Sequence, residues 1–204
     1  DVSLDGNVSD AKRPEIDRWA LALLYQTINL VTTALENYDA KGAGSAIETF
    51  TDQLSNWYVR RNRRRFWKSE TGADKQSAYL TLYTCLDVLH RLMAPFMPFL
   101  ADEMYQNLVR SQQADAPISV HLSEWPKADP NWRNDELLGS IAVVQQVVAL
   151  GRAARESSRV RVRQPLSRLL ARLPDDRTTQ AVIHHKDQIL EELNVKNLEL
   201  VARD

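Results

Sequence analysis

A single cysteine, Cys85, in 204 residues leaves no disulfide within the chain and no cysteine-based metal site. Its place in an apolar helical pattern suits a reducing compartment. Four histidines, His90, His121, His184 and His185, are too few and too scattered to suggest a ligand set. The six glycines form no phosphate loop, and neither Gly-x-Ser-x-Gly nor His-Glu-x-x-His occurs. No motif therefore supports an independent enzyme, and no catalytic or metal residue is expected. The sequence shows no signal peptide and no apolar run read as long enough to span a bilayer, so the expectation is a cytoplasmic protein without a membrane role. Neither sign of charge is in excess, with 26 Lys and Arg against 27 Asp and Glu and a formal net charge of -1. Any affinity for a polyanion must reside in a local patch.

What is present suits a sizeable folded core. Hydrophobic residues make up 44% and charged ones 26%, ordinary for a globular chain of one domain or one domain plus an appendage. Residues 1–13 are polar and look like a linker from another domain. Pro14, followed by Glu15 and Asp17, predicts a helix start. Ile16, Trp19, Leu23, Leu24, Thr27, Leu30, Val31, Ala34 and Leu35 continue its apolar face to about Tyr38. A turn over 39–45 follows, with Ser45 and Glu48 as a capping box for the second helix. A break over 69–74 leads to a third helix marked by Tyr79, Leu82, Tyr83, Leu86, Leu89, Leu92 and Met93. Pro95 ends it and Pro98 starts a fourth, in which Asp102 and Glu103 complement the macrodipole. Ile118 to Leu122 alternates like a short strand or an extended crossing. Asn134 caps a fifth helix whose inner face carries Leu137, Ile141, Val144, Val148 and Gly151. Beyond it, 160–162, 166–173 and 198–201 read as extended and 179–193 as helical, a small α+β appendage. The domains are thus expected as a linker over 1–13, a helix bundle over 14–133 and a C-terminal helix with the appendage over 134–204.

The second helix carries the most unusual stretch. Ile47, Phe50, Leu54, Trp57 and Tyr58 form an apolar stripe, after which Arg60, Arg61, Arg63, Arg64 and Arg65 spread charge around the helix and Phe66 and Trp67 close it. Like charges at i, i+3 and i+4 disfavour a helix by roughly 0.2 to 0.5 kcal/mol each, so something must offset them. The planar fork of arginine suits phosphate or carboxylate oxygens, which points to nucleic acid or an acidic protein surface. A solvated helix end complementing the macrodipole is the plainer alternative. Trp57, Tyr58 and Trp67 interleave with these arginines as RNA binding favours. A second basic region holds Arg152, Arg155, Arg159, Arg161, Arg163, Arg168 and Arg172, of which Arg159, Arg161 and Arg163 share a face if the chain is extended. Its arginines either face a phosphate run or pair with Asp187, Glu191 and Glu192. His90 reads as a core or boundary histidine, and His184 and His185 as solvated on opposite sides of a helix.

Leu54-Ser-Asn-Trp-Tyr-Val-Arg-Arg-Asn-Arg-Arg-Arg-Phe-Trp resembles the anticodon-binding region of isoleucyl-tRNA synthetases, class I aminoacyl-tRNA synthetases. So do Asp17-Arg-Trp, Met93-Ala-Pro-Phe-Met-Pro-Phe-Leu-Ala-Asp-Glu, Ser119-Val-His-Leu and Val162-Arg-Gln-Pro-Leu, in order over nearly the whole chain. The proline-bearing and Val-His-Leu segments are shared with valyl and leucyl relatives, whereas the Asn-Trp-Tyr and arginine string points to isoleucine. The His-Ile-Gly-His-like and Lys-Met-Ser-Lys-Ser-like signatures of the family are missing. The resemblance implies a mainly α, antiparallel helix bundle with a small C-terminal α+β appendage. It further implies a monomeric fragment without a cofactor of its own that holds tRNA(Ile), while ATP and Mg belong to catalytic and editing domains elsewhere in a parent ligase. It makes Trp57, Tyr58, Arg60, Arg61, Arg64, Arg65, Trp67, Arg155, Arg159, Arg161 and Arg163 candidates for contact with tRNA or with those domains. An antiparallel first pair of helices would put the arginine string at the end where the first helix begins, for stem or interdomain contact. The 38–45 turn and the 94–98 junction would then lie nearer an anticodon.

Overall fold

Pro14, with φ -51°, precedes helix α1 (Glu15–Glu36), and Glu15 and Asp17 sit in its first turn. In the computed structural model, which describes residues 13–67 and 72–201, the chain is mainly helical and divides into two units, residues 1–134 and 135–204. The linker expected over 1–13 lies outside the described residues except for Arg13, whose guanidinium donates to the Thr81 hydroxyl at 2.8 Å.

In the first unit α1 packs against α2 (Ala40–Gln53) and α4 (Ala73–Met93). The turn between α1 and α2 is tighter than the sequence suggests. Tyr38 adopts φ 58°, and Asp39, not Ser45, caps α2 by accepting from the Gly42 amide at 2.8 Å. A Cβ at Gly42 would collide with the Asp39 carboxylate, so glycine permits the cap. The Ser45 carbonyl instead accepts from Thr49. The stripe Ile47, Phe50, Leu54, Trp57 and Tyr58 is buried as expected. The helix bearing it is not continuous: Leu54–Val59 form a π-helical turn, and the chain re-forms as the short α3 (Arg63–Trp67) after Asn62.

Of the large residues expected to mark the inner face of α4, Leu89 and Leu92 are buried. Ala78, Leu80, Thr81, Cys85, Val88, Leu89 and Leu92 are buried, while Tyr79, Leu82, Tyr83 and Leu86 are half-buried. The helix packs against both α1 and α3. Pro98 begins α5 (Pro98–Tyr105), followed by a π-helical turn over Gln106–Arg110. A satellite core joins Ala101, Tyr105, Val109 and Val120. Asp102 does more than complement a helix dipole. Its Oδ1 accepts from the Ser119 hydroxyl at 2.7 Å and the Val120 amide at 2.9 Å, and these bonds hold its carboxyl below the usual range. Val120–Leu122 is a 3-10 turn, not a strand, because that carboxylate takes the amide a strand would pair. Trp125 donates from Nε1 to the Thr32 hydroxyl at 2.9 Å.

The second unit is built on α6 (Asp135–Ser157). By length and composition this helix is apolar enough to cross a membrane, contrary to the sequence reading. Its stripe of Leu137, Ile141, Val144 and Val148 is buried within the unit, where α6 packs against α7 (Asp176–His184) and α8 (Lys186–Leu193). Burying such side chains contributes roughly 1.5 to 3 kcal/mol apiece. A Cβ on Gly151 would collide with Leu193, so the glycine lets α8 approach closely. Strands β1 (Leu166–Ala171) and β2 (Val195–Leu200) pair in parallel, Leu166 opposite Val195 and Ala171 opposite Leu200. The helix expected over 179–193 is two helices that meet at His185, with Asp175 forming a capping box with Thr178. His185 is buried rather than solvated, with Nε2 3.0 Å from the Ser140 hydroxyl. Residues 160 and 161 form no strand, and Val162 lies in a turn closed by the Gln164 amide on the Arg161 carbonyl at 3.0 Å.

Candidate nucleic-acid interface

The arginine string divides by what each guanidinium touches. At its end, Arg65 donates from one nitrogen to Asp17 Oδ1 at 2.7 Å and from the other to Asp17 Oδ2 at 2.8 Å. It also reaches the Asn62 side-chain oxygen at 2.9 Å and the Asp74 carbonyl at 2.8 Å. Asp17 is wholly buried and accepts in addition from the Tyr58 hydroxyl at 2.8 Å and the Ser77 hydroxyl at 2.6 Å. One carboxylate from α1 thus gathers α3, α4 and the π-helical turn. Burial opposes the Arg65 charge, but the Asp17 carboxylate more than offsets it, so the guanidinium is held above its ordinary range. Burial, then the Asp17 charge, pushes the Tyr58 hydroxyl up. Burial likewise pushes up the Cys85 thiol, which is free and inaccessible.

Tyr58 is buried and Arg65 is held by Asp17, so both tie the elements of this unit together. The bidentate partner of Arg65 lies 48 residues away, and only Asp17 at an otherwise apolar helical position hinted at it. The contact also places the string at the end of the bundle where α1 begins, as the antiparallel argument expected.

The other arginines face outward to different degrees. Arg61 lies over the buried Trp57 ring, 5.2 Å from its centroid, a cation-π contact worth roughly 0.5 to 1 kcal/mol at exposed sites. Arg60 donates to the Asn56 carbonyl at 2.8 Å. Arg63 and Arg64 are exposed and make no hydrogen bond or ion pair among the described residues. Sequence reading singled out Arg64 but not Arg63. Both stand within one helical turn of Trp67, which is 76% exposed, so two cations and an indole share one face. Phe66 stays behind them, packed edge-on against Tyr58 and Tyr79 at 6.4 and 5.3 Å. Phosphate oxygens suit the two guanidinium groups, and an unpaired base or an apolar neighbour suits the indole.

An open groove of about 560 Å³ between α2 and the α4 to α5 junction is lined by Ile47, Met93, Phe96 and Met97. Glu48 and Asp52 on its lining disfavour a phosphate backbone, so it does not extend the arginine face.

In the second unit Arg155 is buried and donates to the carbonyls of Arg161, Gln164, Leu193 and Asn194 at 2.7 to 3.1 Å. It organises the fold and does not face solvent. Arg159, Arg161 and Arg163 are exposed and make no ion pair among the described residues, whereas the alternative of pairing with the tail-helix carboxylates is realised by Arg152. Glu192 pairs with Arg152 at 2.5 Å.

Residues 17–170 match the family described as the anticodon-binding domain of tRNA ligase. The chain is 50% identical over 185 residues to the isoleucine-tRNA ligase of Dehalococcoides mccartyi (strain 195), covering 91% of this chain and 18% of that protein. It is 47% identical over 191 residues to that of Thermus thermophilus, covering 93% and 18%. With that of Deinococcus radiodurans the identity is 45% over 194 residues, covering 95% and 17%. The chain thus spans less than a fifth of the length of these relatives. It belongs to the family of anticodon-binding domains of tRNA ligases, and within that family it is similar to the isoleucine-tRNA ligases.

Proposed function

We propose that this chain is the tRNA-holding portion of a cytoplasmic, monomeric isoleucine-tRNA ligase. Its task is to position tRNA(Ile) while the remainder of the parent carries out aminoacylation with ATP and Mg. The observation that carries the reading is the face of Arg63, Arg64 and Trp67, backed by the Arg65 to Asp17 ion pair. An internal carboxylate holds one arginine of the string so that its neighbours project. Arg60 and Arg61, half-buried beside them, flank this face. The chain holds the nucleic acid and carries out no bond-making step.

Titrating the chain with a tRNA(Ile) transcript, with and without a separately produced catalytic portion, tests the proposal. Saturable binding that protects Arg63 and Arg64 from arginine-specific modification supports it. Protection by the catalytic portion without tRNA would contradict it and assign the face to docking between domains.

A further inference from the structure

The turn after α6 is built to expose its arginines. Four consecutive carbonyls, from Arg161 to Gln164, accept from inside the unit. Those of Arg161 and Gln164 accept from Arg155, both at 3.0 Å. Those of Val162 and Arg163 accept from the Asn194 side-chain amide at 3.0 and 3.1 Å. Asn194 can make this reach because it ends α8 with φ 48°. With its acceptors turned inward, the turn offers solvent its donors. The backbone amides of Arg161, Val162 and Arg163 donate to no group among the described residues. The side chains of Arg159, Arg161 and Arg163 are exposed and make no ion pair among those residues. Two carboxylates of the same unit are already engaged, Glu192 by Arg152 and Glu199 by Arg168. Arg159, at φ 55°, turns the chain out of α6 into the segment.

We infer that residues 159–163 form a second, preorganised phosphodiester-binding turn, with Arg155 and Asn194 as positioning residues that never touch the ligand. The inference rests on the tRNA-holding reading and deepens it. The second unit then contributes its own backbone contacts, separate from those of Arg63 and Arg64. Arginine forks beside backbone amides that donate to no protein group select phosphate oxygens over bases, so the turn anchors and does not read sequence.

The order of the turn and its charge can be separated by experiment, because the slope of log affinity against log salt counts neutralised phosphates, about -0.7 to -0.9 each. The whole chain is titrated with a tRNA(Ile) transcript across a salt series. R161A/R163A should flatten the slope by about 1 to 2 without changing the melting temperature. Asn194→Gly, which keeps the left-handed backbone and removes only the amide, should weaken binding about three- to tenfold with the slope intact, since preorganisation is lost while charge is not. An unaltered slope and affinity in R161A/R163A would overturn the inference, even if Asn194→Gly proved too unstable to measure. R63A/R64A in the same series separates the two readings. If it flattens the slope while R161A/R163A does not, only the second turn fails. If wild-type binding is insensitive to salt, the tRNA-holding reading fails with it.

Discussion

Arg65 and Asp17 form a two-point ion pair at 2.7 and 2.8 Å between the last turn of the arginine string and the first turn of α1. Asp17 is wholly buried, and the Arg65 side chain is 15% exposed. Removing one member leaves the other charge uncompensated in a poorly solvated place. Asp17→Ala should therefore destabilise the chain by about 3 kcal/mol, seen as a lower urea midpoint with an unchanged denaturant slope. A loss below about 0.5 kcal/mol would show that the pair is not a structural hub.

His90 is fully buried on α4, and neither ring nitrogen has a hydrogen-bond partner among the described residues. Its ring lies edge-on to Tyr105 at 5.4 Å, and Asp87 approaches Nε2 only at 3.4 Å. Burial holds its pKa down to about 4, against an ordinary 6.5. The unfolded chain therefore takes up the proton first on acidification. Stability is fully present above pH 6.5, falls as the pH drops toward 4, and levels off below that. The whole loss should be about 3 kcal/mol, and His90→Gln should flatten this part of a stability-versus-pH curve measured by urea denaturation. Asp102 contributes separately. Its pKa is depressed by Ser119 and Val120, so its share is lost below the His90 window.

Arg155 donates to four backbone carbonyls from two segments. Lysine keeps the charge but cannot reproduce a planar fork. Arg155→Lys should cost about 2 to 4 kcal/mol, since several buried acceptors lose their donor. The same loss in an Arg155→Met variant would place the contribution in hydrogen-bond geometry, whereas full stability in Arg155→Lys would place it in charge alone.

Much of the architecture was legible because local rules agreed with the tertiary outcome. Pro14 and Pro98 mark helix starts, the stripe from Ile47 to Tyr58 is the buried one, and Leu137 to Val148 face inward as their spacing implies. The arginine string was legible as a feature but not in its division. Composition cannot distinguish Arg64, exposed, from Arg65, held by a carboxylate 48 residues away. The π-helical turn at Leu54–Val59 was hidden because one wide turn barely disturbs a 3.6-residue pattern. His185 looks solvated in sequence because only the packing of α7 and α8 against α6 brings its ring to Ser140. Arg155 follows suit, since carbonyl acceptors leave no trace in side-chain sequence.

The division of the string is tested most directly by the salt dependence of tRNA(Ile) binding in two variants of the whole chain. R63A/R64A should flatten the log-log slope by about 1 to 2 at unchanged melting temperature. Arg65→Ala should lower the melting temperature and, in conditions where the chain stays folded, leave the slope where it was. A slope that flattens for Arg65→Ala but not for R63A/R64A would contradict the account.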